Sequence, residues 1–114
     1  MRIQNVTRDT ELASEARAAR HFWPRLVGLL GRTSLRQGEG LVIEPCKSVH
    51  TAFMRFAIDV VTVDRSGKVV KLVSDLKPFR ISGTLRTAHA VVELPSGTID
   101  GTGTAVGDQL AFHD

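Results

Sequence analysis

The run from Phe56 to Asp64 constrains this chain most. Ile58, Val60, Val61 and Val63 are β-branched and the stretch is almost wholly apolar, the pattern of a strand buried on both faces at the centre of a sheet. Asp64-Arg65-Ser66-Gly67 follows as a tight turn, with Gly67 free to take the positive φ that such a turn requires. Lys68-Val69-Val70-Lys71-Leu72-Val73 then returns as the partner strand. A chain with this ribbon in its middle third has to build a sheet around it.

Further strand signals lie on either side. Arg2 to Val6 alternates polar and apolar residues, Leu41-Val42-Ile43 seeds a buried strand that Pro45 limits, and residues 88–94 form a third good strand. Residues 108–112 alternate again and are expected to close the sheet. Residues 11–20 are helical by propensity, yet Leu12, Ser14, Ala16 and Ala18 alternate in the manner of an edge strand. Pro24 and Gly31 suit the two ends of a short helix over 24–30, and residues 98–107 read as a loop or one helical turn. The sum is a β-rich α+β fold: a mostly antiparallel sheet, rolled or barrel-like, of about six short strands with one or two short helices.

The chain has 114 residues, enough for one domain spanning 1–114 with a cooperative core. A single cysteine rules out an intrachain disulfide and any multi-cysteine zinc finger. No apolar run approaches the roughly 18 residues of a membrane span. The first residues do not read as a signal peptide, so the expected location is the cytoplasm. Lys and Arg total 15 against 12 acids, a net charge of +3, and the cations are scattered rather than in blocks. With no Tyr and one Trp, stacking platforms are scarce, which argues against nucleic acid as the partner.

Four phrases taken in order carry a resemblance. They are Arg25-Leu26-Val27-Gly28-Leu29-Leu30-Gly31-Arg32 with Gly38-Glu39-Gly40-Leu41, the stretch from Pro45-Cys46-Lys47 through Met54-Arg55-Phe56 to Asp59-Val60-Val61, Val91-Val92-Glu93-Leu94-Pro95-Ser96-Gly97, and Val106-Gly107-Asp108. In this order the chain resembles the domain-of-unknown-function family 192 (DUF 192), small uncharacterised bacterial and archaeal proteins, over about residues 11–112. The resemblance implies a compact β-rich α+β domain and a strand at 11–19; it supplies no activity, substrate or cofactor. Many relatives carry an export signal or lipid anchor, which keeps an envelope location open. Phe53 and Thr62 stand where the family commonly has aromatic residues that are not the ones found here.

The residues that could carry chemistry cluster between Cys46 and Asp59. Cys46 and His50, with Met54 nearby, offer soft ligands for a metal such as Cu(I), and adding Asp59 suits zinc. The same Cys46 and His50, oriented by Asp59, are the parts of a thiol nucleophile and its base. The plain alternative is that Cys46 and Met54 are core residues. Asp59, flanked by Ile58 and Val60, is costly to bury unless paired; Arg25, Arg32 or Arg55 would serve, or it is the carboxylate at the floor of a ligand pocket. Glu93, one strand over, is a candidate for a similar position. His89 and His21 read as polar edge residues, and the glycines of 101–107 lack the Gly-Lys-Ser/Thr ending of a phosphate loop.

The reading favoured by these residues is a non-enzymatic module that binds a small ligand or a protein in a groove lined by His50, Met54, Arg55 and Asp59. Its rival is a small metal-binding protein or enzyme built on Cys46 and His50. The sequence specifies neither a cofactor nor an oligomeric state.

Overall fold

A computed structural model describes residues 1–19, 35–45, 56–77, 80, 82–83 and 85–114. Within them the chain forms eight strands and one short helix. The strands are β1 (Arg2–Asn5), β2 (Thr10–Ala13), β3 (Glu15–Ala19), β4 (Glu39–Ile43), β5 (Ile58–Val63), β6 (Val69–Leu76), β7 (Ala90–Pro95) and β8 (Leu110–His113). The helix, α1, spans Thr98–Thr102. The expected helix at 24–30 falls outside the described residues.

The strands make two sheets, of order β2-β1-β8 and β3-β4-β7-β5-β6. This corrects the rolled or barrel-like expectation. The last strand does not close the sheet that contains the central ribbon; it pairs with β1, Ile3 opposite Phe112 and Asn5 opposite Leu110. The two sheets pack face to face and are also bridged by hydrogen bonds, Lys68 pairing with Gln109, the Leu110 amide donating to the Gly67 carbonyl at 3.0 Å and the Ala16 amide donating to the Met1 carbonyl at 2.8 Å. All pairings are antiparallel except β3 with β4, which run parallel. Within the ambiguous stretch, residues 11–19 resolve into two strands broken at Ser14, because Leu12, Ala13 and Ala16 gain more from burial than an isolated helix would from propensity.

The ribbon at the centre forms as the sequence predicts. β5 pairs antiparallel with β6 on one side and with β7 on the other, so its six residues are all buried. Its turn is tied by Asp64, whose Oδ1 accepts from the Ser66 amide, the Ser66 hydroxyl and the Lys68 amide at 2.9, 2.7 and 3.0 Å. Gly67 adopts φ +86°, and a Cβ there would lie 2.9 Å from the Leu110 carbonyl oxygen. The glycine thus serves both the turn and the approach of β8.

The pleat divides the larger sheet into two apolar faces. Val42, Val92 and Val61 align across β4, β7 and β5, and pack with Ile3, Leu12, Ile99 and Leu110 of the smaller sheet and the helix. Leu41, Val60, Ile58 and Val91 belong to the opposite face, with Leu35 and Leu76.

A buried polar knot holds the edge of the smaller sheet. The Asp108 carboxylate, 4% exposed, accepts from Asn5 Nδ2, Arg8 Nε and the Ala105 amide, each at 2.9 Å. Asn5 is itself buried; its Nδ2 also donates to Thr104 Oγ1 at 3.2 Å and its Oδ1 accepts from the Arg8 amide at 3.1 Å. The hydrogen bond from Arg8, and then that from Asn5, hold the Asp108 carboxyl down at about 2. A carboxyl lowered on folding stabilises the fold above its unfolded value, about 3.9, and loses that contribution as pH falls through about 2. Urea midpoints measured from pH 5 down to pH 2 should therefore fall more steeply for the natural protein than for Asp108→Asn, which lacks the titrating group. Parallel curves would contradict this role.

Candidate functional site

Asp59 is the member of the expected site that the structure describes; Cys46, His50, Met54 and Arg55 lie outside the described residues. The need foreseen for Asp59 is real, since its side chain is wholly buried. Its partners among the described residues are not arginines. Oδ1 accepts the Asp75 amide at 2.8 Å, and Oδ2 accepts the Gly97 and Ile99 amides at 3.1 and 2.8 Å.

Each of those amides is left over by local geometry. β6 carries an extra residue opposite Asp59: Ile58 faces Leu76 while Val60 faces Val73. At this irregularity Asp75 turns to φ 55°, and its amide is satisfied by Asp59 rather than by the ladder. Gly97, in a left-handed conformation, begins α1 without a side chain to cap it. Asp59 does the capping from the neighbouring strand. Asp75 completes the knot by accepting from the Ser96 hydroxyl at 2.9 Å and from Lys77. Lys77, and then Ser96, lower its carboxyl below the usual range. The Asp59 carboxylate is thus buried with both oxygens accepting backbone amides.

Glu93 does not share this position. It is fully buried in β7, in register between Leu41 and Val60, whereas Asp59 pairs with Leu94. Strict alternation puts the two carboxylates on opposite faces of the sheet.

Concave surface lies at the other end of β5. A cleft of about 510 Å³ has Val42, Val63, Ala90 and Leu110 beneath it, with Phe112 and Asp114 also lining it. A second, of about 570 Å³, is lined by Pro45, Arg86, Thr87 and Ala88. Both share Asp64, Arg65, Ser66 and His89, so the β5–β6 turn and the start of β7 form a common wall. His89 is fixed there from two directions: its amide donates to the Val63 carbonyl at 2.9 Å, and its Nε2 lies 3.1 Å from Glu44 Oε1. The hydrogen bonds at the Asp64 carboxylate, led by that from the Ser66 hydroxyl, lower it below the usual range. Arg65 and Arg86 are exposed and form no ion pair with a described residue.

Sequence reasoning met His89 only as an edge residue and passed over Glu44, Arg65 and Arg86. The missing information is the β4–β7 pairing, which places Glu44 beside His89 across 45 positions of chain. The available signals were the two strand ends, Glu44-Pro45 and His89-Ala90. Among the described residues no three His, Cys, Asp or Glu side chains group as metal ligands, and no helix is long and apolar enough to cross a membrane.

Comparison with known proteins places this architecture. The profile of DUF 192, described as "Uncharacterized ACR", matches residues 3–112. The chain is 36% identical to UPF0127 protein PF1050 of Pyrococcus furiosus over 114 residues, 96% of each chain. Its fold is similar to that of a crystallised protein of unknown function from Novosphingobium aromaticivorans, with a TM-score of 0.80 at 18% identity, covering 97% of this chain and 82% of the other. A Sinorhizobium meliloti protein described as a candidate transcription regulator is similar at a TM-score of 0.78 and 18% identity, covering 96% and 89%. At that identity the structural likeness concerns the fold alone.

If the Asp59 carboxylate is a buried cap, removing it strands three amides. Asp59→Ala should cost about 2 kcal/mol or more in urea unfolding, given about 1–3 kcal/mol for the buried Ile99 amide left unsatisfied and less for the part-buried Asp75 and Gly97 amides. A loss below about 1 kcal/mol would contradict the assignment.

Proposed function

The chain belongs to the DUF 192 family of uncharacterised proteins, and from that premise we propose that it is a non-enzymatic binding module for a small ligand. The observation that carries this reading is the pair of clefts on one wall, with Arg65 and Arg86 beside them and His89 anchored between. Specific small-molecule sites combine concave volume of about 300–1,000 Å³ with a few fixed polar groups, and this end of the sheet has both. At the Asp59 end the carboxylate oxygens are taken up by three backbone amides.

The groove expected near the Cys46–Asp59 segment joins this reading through Pro45. That residue lines the second cleft, and the segment leaves from it. His50, Met54 and Arg55 are proposed as further contacts of the same ligand. The rival reading, a metal-binding protein or enzyme on Cys46 and His50, rests on residues outside those described.

An amide-detected NMR screen of a fragment library against the full chain tests the proposal. Binding fragments should shift Ser66, Gly67, His89 and Ala90 together. A screen without binders, or with binders whose shifts avoid those residues, would overturn it.

A further inference from the structure

The first cleft offers a ligand little apolar surface, since Val42, Val63, Ala90 and Leu110 beneath it are each at most 6% exposed. What it does offer is a strand edge. β8 is the outer strand of the smaller sheet, and its register with β1 fixes which way its backbone groups point. The Val6 amide donates to the Gln109 carbonyl at 2.9 Å, so Gln109, Ala111 and His113 turn their polar backbone groups to β1. Leu110 and Phe112 turn theirs to the outer edge. There the Gly67 carbonyl meets the Leu110 amide at 3.0 Å, and the Val69 amide donates to the Asp108 carbonyl at 2.8 Å. The β5–β6 turn thus covers this edge as far as Leu110 and stops. Among the described residues nothing pairs with the Phe112 amide and carbonyl, and Phe112 lines the cleft.

The charge of the same cleft has a sign. Glu44, Asp64 and Asp114 line it against one guanidinium, Arg65, while His89 is held by Glu44 and the Met1 amine donates to the Ala16 carbonyl at 3.2 Å. From the open edge and this acidic excess, and resting on the binding reading above, we propose that the ligand is a short extended peptide carrying a lysine or arginine. Its main chain pairs with Phe112, continuing along β8 the row of hydrogen bonds that Gly67 ends, and its cation answers the charge of the cleft. Edge pairing draws on main-chain groups that every peptide has, so the acidic lining selects among peptides.

Three probes separate the contributions: the peptide acetyl-Thr-Lys-Thr-Lys-Thr-amide, the same peptide N-methylated at its backbone nitrogens, and acetyl-Thr-Glu-Thr-Glu-Thr-amide. In amide NMR of the full chain the lysine peptide should shift Gly67, His89, Leu110 and Phe112 together and slow exchange of the Phe112 amide. The N-methylated and glutamate peptides should bind roughly tenfold more weakly. The double variant Glu44→Gln/Asp114→Asn, altered at exposed positions, should weaken the lysine peptide roughly threefold or more. Equal binding of the lysine and N-methylated peptides, or of the lysine and glutamate peptides, would overturn the proposal. So would an unchanged affinity in the double variant, or shifts that avoid Phe112. If the lysine peptide fails while other fragments still shift the His89 wall, the ligand class is wrong and the binding module stands. If no fragment shifts it, both fall.

Discussion

A buried aspartate with three backbone amides holds one end of this molecule. Asp59 collects the Asp75 amide from the irregular edge strand and the Gly97 and Ile99 amides from the start of the helix. Without it, the Ile99 amide would be sealed away from water with no acceptor, and the part-buried Asp75 and Gly97 amides would lose theirs. β5 lies between β6 and β7 in the larger sheet, which lets one side chain reach amides on both sides. Asp59 is best understood as a remote helix cap that also repairs a strand irregularity.

Under the proposed binding reading, this division separates stability from recognition along a single strand. β5 runs from Asp59, where polar groups are consumed internally, to Val63 and the Asp64 turn, where they border open clefts. The turn itself is rigid, because Asp64 satisfies three of its donors. His89 is anchored to the same strand through the Val63 carbonyl. Groups built on rigid elements give a binding site its geometry before a ligand arrives, which is the condition the proposed site at the common wall relies on.

What could be read in the residues was local. The β-branched run, the Asp64–Gly67 turn and the returning strand announce themselves within eighteen positions, and the hairpin forms there. The β-rich α+β class follows from the same alternation. The split into two sheets does not, because it depends on β8 choosing β1, at the far end of the chain, over the central ribbon. Asp59 shows the same boundary. Its need for partners is legible from Ile58 and Val60 beside it, but amide partners arise from backbone conformations at Asp75 and Gly97 that residue types do not announce. The His89–Glu44 pair was hidden for a related reason, being a product of strand register.

Hydrogen exchange at the Asp75, Gly97 and Ile99 amides tests the central claim most directly. If Asp59 holds them as described, all three resist exchange together, near the level of the β5 core amides, although Asp75 belongs to an exposed edge residue. Exchange at the rate of an open loop, or protection of one amide without the others, would contradict the account.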